Sequence, residues 1–153
     1  MDVRAMDTAL ESESYGLTPR PEMLDELDAL DGQITELASH IHAATYRWLR
    51  LVRQFDDHPG VGAWGLKSTA HYLNWRCGIG ITAAREHVRV ARALDDLPRI
   101  SKAFSRGELS YSKVRAMTRV ATPQTEDYFL GLRTTRWRIQ SRRTNSLTGR
   151  EQK

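Results

Sequence analysis

The feature that most constrains this chain is an apolar stripe that begins just after two closely spaced prolines. Leu24, Leu27, Ile34, Leu37, Ile41, Trp48, Val52 and Phe55 recur at intervals of three, four or seven residues. An α-helix brings such a set onto one face, so the spacing predicts a long amphipathic helix. Thr18 before Pro19, or Pro21 in the first turn, supplies a start, and Glu22, Asp25 and Glu26 suit the positive end of the helix dipole. Arg47, Arg50 and Arg53 lie toward the negative end. Asp31-Gly32 is a candidate interruption, and His58-Pro59-Gly60 stops the helix near Asp57. The stripe is long enough to exceed what shorter helices could cover, which would leave it to pair with another copy or a related helical domain.

Shorter helices follow. Residues 58–66 read as a Gly-rich loop in which Trp64 is a packing anchor. Ser68 or Thr69 caps a helix running to about Arg76, with Ala70, Leu73 and Cys77 facing inward. Gly78-Ile79-Gly80 breaks it, and Thr82 caps the next helix, AAREHVRVARALDDL, which Pro98 ends. Pro98 also opens PRISKAFSR, closed by Gly107. Ser110 or Ser112 caps YSKVRAMTRVA, and Pro123 opens PQTEDYFL. No stretch alternates with period two, so the expected fold is all-α. It comprises one long N-terminal amphipathic helix packed with four or five shorter ones and disordered ends. Three parts are expected: an acidic flexible arm over 1–20, a helical domain over 21–130 and a basic tail over 131–153.

Composition narrows the class without naming a function. The 153 residues carry a net charge of +4 and one cysteine, Cys77, which excludes an intrachain disulfide framework and a four-cysteine zinc site. There is no run of apolar residues long enough to span a bilayer, and the acidic start lacks a signal-peptide core. A cytoplasmic protein with no membrane partner is the expectation. The charge is unevenly spread. Residues 1–65 hold five basic and twelve acidic side chains, residues 66–121 eleven and four, and residues 122–153 seven and three. A basic centre is the electrostatic footprint of a nucleic-acid binder. The competing reading is that acidic and basic parts pair with each other inside one helical body.

The predicted helix after Gly80 carries the most informative pattern. Ile81, Ala84, Val88, Ala91 and Leu94 share one face, with Ala83 and Val90 at its edge, while Arg85, Arg89 and Arg92 cluster opposite. Guanidinium groups at this spacing can contact successive phosphates or read guanine edges in a major groove. Lys113, Arg115 and Arg119 on the next basic helix could assist, whereas Glu86 or Asp96 could neutralise part of the row. Residues 68–94 also read as helix, Gly-containing turn, helix, the outline of a helix-turn-helix, though GIGI makes a longer turn than that motif uses.

Catalytic and metal readings fare worse. The histidines are His40, His42, His58, His71 and His87. His40 and His42 point to different sides of a helix, and Glu36 and His40 share a face without a third ligand. His71 stands six residues before Cys77, which is not a zinc spacing. GIGITA lacks the lysine and the preceding strand of a phosphate-binding loop. The expectation is no catalytic residue, no metal, no cofactor and no small-molecule substrate.

Several consecutive blocks carry a family likeness: LASHIHAATYRWLRLVRQFDD, HYLNWRCGIG, AREHVRVARALDDLP and GELSYSKVRAMTRVATP. Over residues 21–130 the chain resembles the bacterial 13E12 repeat family, whose helical N-terminal part is a domain of unknown function, number 222. The resemblance implies a longer protein in which an HNH endonuclease module follows this domain. Such a module needs histidines that activate water and hold a divalent metal. This chain has no histidine after His87 and no cysteine after Cys77, so no nuclease residue carries over. The likeness is expected to stop near Leu130, with 131–153 an out-of-frame or truncated ending. The resulting reading is a non-catalytic, short or truncated member that binds DNA through the basic helix. The alternatives are a dimerisation or interaction module for a nuclease-bearing relative, or a remnant without function.

Overall fold

The structure, a computed structural model, describes residues 20–132. The expected arm over 1–20, except Arg20, and the expected tail over 131–153, except Gly131 and Leu132, lie outside the described residues. Five α-helices are present among them: α1 (Pro21–Asp57), α2 (Thr69–Cys77), α3 (Ile81–Ala93), α4 (Pro98–Ser105) and α5 (Tyr111–Met117). Short 3₁₀ turns occupy Gly62–Trp64 and Leu94–Asp96, and the chain is helical again over 126–132. No strand occurs among the described residues, so the fold is all-α with a long leading helix. None of the helices there is long and apolar enough to cross a membrane.

The chain divides into two compact units, residues 1–35 and 36–153. In the first, the described residues belong to α1 and its lead-in, and all of their side chains are exposed. Asp31-Gly32 does not interrupt the helix. The Thr35 hydroxyl donates to the carbonyls of Asp31 (2.9 Å) and Gly32 (3.0 Å), which reinforces the turn where glycine weakens it.

The second unit has a continuous core. Leu49 and Val52 of α1 meet Leu73 of α2, Val88 and Val90 of α3, Leu94, and Ile100 and Phe104 of α4. Leu109 and Val114 close it, each fully buried. The start signals hold where a side-chain oxygen can reach the first turn. Ser68 accepts from the His71 amide and Ser110 from the Lys113 amide, both at 3.4 Å. Pro98 opens α4, as its fixed φ and missing N–H allow. Thr82 does not cap α3; that helix starts one residue earlier, at Ile81, with Gly80 as an N-cap that offers no side chain. Cys77 is exposed rather than inward, because α2 ends there and Gly78 turns the chain away in the left-handed region (φ 67°). Val90 is fully buried and Ala83 exposed, so the core side of α3 is shifted from the expected face.

Two contacts fix the ends of α4. Glu126 is 1% exposed and accepts from the Ile100 amide at 2.7 Å, capping the helix from a distant segment. Arg99 pairs with neighbouring Asp127. At the other end Gly107 takes a φ of +75° against α1; a Cβ there would lie 2.2 Å from the Ser39 carbonyl oxygen. Both the backbone conformation and the close approach demand glycine. Gly107→Ala should destabilise the domain by at least about 2 kcal/mol, from left-handed strain and overpacking together. Urea unfolding of the two proteins checks this, and Ser105→Ala, at an exposed position two residues earlier, should cost far less.

Candidate functional site

The basic residues singled out in the sequence lie on α3, on α5 and just after it, and half of them are already paired. Arg89 Nε donates to Glu86 Oε1 at 3.0 Å, and its two terminal nitrogens donate one each to the carbonyl oxygens of Arg115 within α5 (3.2 Å) and of Thr118 at its end (3.4 Å). Arg119 donates to the other oxygen of Glu86 at 2.8 Å. Arg92 forms a two-point contact with Asp56 of α1, Nε at 2.7 Å and the terminal nitrogen at 2.9 Å. Arg85, Lys113 and Arg115 are exposed, with no side-chain partner among the described residues. The candidate set therefore divides into three latched cations and three open ones.

The carboxylates of the acidic part are the latches. Asp56 accepts from Arg92 and also from the buried Thr69 hydroxyl at 2.7 Å, so one side chain ties α1 to α2 and α3. Arg50 and Arg53 of α1 both reach Asp95 at 2.5 Å, joining α1 to the 3₁₀ turn after α3. Glu86 neutralises part of the row as expected, whereas Asp56 and Asp95 were not foreseen and Asp96 has no such role. The acidic and basic stretches thus pair within the second unit.

These pairs set protonation. Hydrogen bonds from Arg92, with a smaller share from Thr69, hold the Asp56 carboxyl below the ordinary 3.8, against the opposing effect of burial. Arg89, and then Arg119, lower Glu86. Burial favours the neutral acid at Asp95, but Arg53 and Arg50 outweigh it and lower that group as well. A carboxylate lowered by folding contributes stability above its unfolded value and loses it as pH falls through the folded one. Stability should therefore decline below pH 3.8. Asp56→Asn should cost about 1–3 kcal/mol at neutral pH and flatten that acid limb, as denaturant titrations at several pH values would report.

Of the open cations, Arg85 alone borders a cavity of about 520 Å³, which Ser68, Thr69, Val88, Arg89, Arg92 and Asp96 also line. The turn between α2 and α3 spans only Gly78–Gly80, shorter than GIGI suggested, and leaves Thr82, Ala83 and Arg85 exposed at the start of α3. On the far side of α3, His87 stacks on Tyr111 (centroids 4.5 Å apart) and meets the edge of Trp48, which makes it a packing residue. The Tyr111 hydroxyl is buried without a hydrogen bond; burial, then the nearby Glu86 charge, raises its pKa. No three metal-ligating side chains converge among the described residues.

The larger surprise is on α1, which carries two stripes. Ser39, His42, Tyr46, Leu49, Arg53 and Asp56 recur every three or four residues and face the second unit's core, buried or half-buried. Most of the apolar stripe does not. Met23, Leu24, Leu27, Leu30, Ile34, Leu37 and Ile41 are between 45% and 66% exposed, and Leu51 is 63% exposed. Trp48 and Phe55 alone of its large residues after Ile41 are half-covered, Phe55 by stacking on Tyr72 at 4.1 Å. Beside them a cavity of about 240 Å³ is lined by Trp48, Leu51, Phe55, Tyr72, Leu73 and Cys77. The signal for this division was present in the polar 39–56 set, which an apolar search passes over.

An all-α domain with internally paired charges and an uncovered apolar helix face is the class these features define. The chain belongs to the family described as Domain of unknown function (DUF222), whose model matches residues 25–151. The match does not stop at Leu130, where the likeness read from the sequence ended; it runs through most of the basic tail. No curated protein and no solved structure matches the chain.

Proposed function

We propose that this domain is a non-catalytic association module of a 13E12-repeat-like protein, acting through the apolar face of α1. The observation that carries this reading is the row of exposed Leu and Ile side chains from Met23 to Ile41. Burying a Leu or Ile is worth about 1.5–3 kcal/mol, so a contiguous row of them favours a partner strongly. A coiled partner helix suits a face whose residues repeat every three or four positions. Its source is a second copy or the helical domain of a nuclease-bearing relative, to which this chain would contribute docking and no chemistry. The double variant Ile34→Lys/Leu37→Lys leaves the second unit's core untouched. It should keep the urea midpoint of that core while abolishing concentration-dependent sedimentation and binding to such a relative. A wild-type chain that stays monomeric at all concentrations and binds no relative would overturn the reading.

A second reading rests on Arg85, Arg115 and Lys113, which remain unlatched, and on the open N-terminal half of α3. Nucleic-acid contact through these three would fall steeply with salt as counterions are released, with a slope of about three phosphates. Arg85→Glu with Arg115→Glu should remove binding to a labelled duplex at low salt. Charge reversal at Arg92 should instead lower stability, because its partner is Asp56. Binding that survives the first pair of changes would count against this reading.

A further inference from the structure

Resting on the association reading, we infer that the partner of α1 is a second copy of this chain, packed antiparallel in one register. Along α1 the apolar positions fall into an unbroken alternation of three and four: Met23, Leu27, Leu30, Ile34, Leu37, Ile41, Ala44, Trp48, Leu51 and Phe55. That is the heptad of a coiled coil, with Leu27, Ile34, Ile41 and Trp48 at its a positions and Met23, Leu30, Leu37 and Ala44 at d. Eight layers from Met23 to Trp48 make nearly 40 Å of helix.

Orientation follows from size and charge. A parallel pair would set Trp48 against Trp48 one layer from Ala44 against Ala44, a bulge beside a void. It would also place Glu26 against Asp31 of the other copy twice over, and like charges there are unfavourable. In the antiparallel register centred between Ile34 and Leu37, Ala44 faces Leu27 of the second copy, Ile41 faces Leu30, and Trp48 faces Met23. Ala44 then meets the larger Leu27 and Trp48 the smaller Met23, while Ile41 and Leu30 are matched in size. The same register brings Glu26 opposite Arg47 of the second copy, twice by symmetry. Both side chains are exposed and have no partner among the described residues. Gln33 meets His40 in the flanking positions nearer the centre. Met23 of the second copy lies opposite Trp48, which with Leu51 lines the 240 Å³ cavity, and a flexible thioether suits an irregular apolar surface.

The full chain carrying Cys77→Ser provides a cysteine-free background, since Cys77 is the only cysteine. Leu27→Cys and Ala44→Cys are introduced separately into it. Oxidation of the mixture should give the crossed Leu27–Ala44 disulfide, identified by peptide mapping. Leu27→Cys alone should not cross-link, because its two copies would lie about 26 Å apart along the axis. Arg47→Glu should weaken dimerisation in sedimentation about tenfold, and adding Glu26→Arg in the same chain should restore it. Efficient cross-linking of Leu27→Cys with itself, or no recovery in the charge-swapped chain, overturns the antiparallel register. A monomer that still binds a nuclease-bearing relative overturns self-pairing and leaves the association reading intact. A chain that associates with nothing ends both.

Discussion

Asp56 is the residue on which the second unit turns. One nearly buried carboxylate accepts from Thr69 of α2 and from Arg92 of α3 while sitting on α1. Its negative charge is stabilised by donors from two helices, so those helices cannot separate without stranding a charge. The apolar layers of Leu49, Val52, Leu73, Val88 and Val90 supply the bulk of the driving force. Asp56 selects the arrangement in which that force is used. The neighbouring Asp95 pairs repeat the device one turn further, so the last turns of α1 are held to the domain by charge as well as by apolar packing.

This arrangement bears on the basic face. Arginines on α3 present the spacing of a phosphate-reading row, yet Arg89 and Arg92 spend their donors on the domain itself. Arg89 ties α3 to the carbonyl oxygens of Arg115 and Thr118, and Arg92 ties it to α1. Their net contribution to the outward field is cancelled locally by Glu86 and Asp56. Of the six candidate cations, Arg85, Lys113 and Arg115 are the ones that keep their charge open to the surface. A basic composition and a basic surface are therefore different quantities here.

Local chemistry was legible in the sequence and non-local pairing was not. Ser68, Ser110 and Pro98 announce helix starts because each acts within three residues of itself, and Gly107 announces a stop by its backbone freedom. Thr82 and Cys77 misled because the glycines around Gly78–Gly80 decide where the flanking helices begin and end, overriding a good capping residue. Asp56 and Arg92 stand 36 positions apart, and no spacing rule joins them. The stripes of α1 show the same limit in packing. Hydrophobicity marks the face that ends up in solvent, while the face that meets the core includes Ser39, Arg53 and Asp56 and looks polar. Which of two faces is covered is settled by complementary neighbours, such as the glycine at 107 that lets the chain approach Ser39, and not by apolar content alone.

Gly32 adds a last consequence. A glycine inside a helix gives up about 1 kcal/mol relative to alanine, and it lies where α1 has no core of its own chain to rest on. The Thr35 hydrogen bonds to Asp31 and Gly32 offset part of that loss. Docking of the apolar face would order these early turns, and ordering would complete the docking face. Under the proposed docking, folding of that stretch and assembly would become a single equilibrium, and the amount of helix would read out how much partner is present.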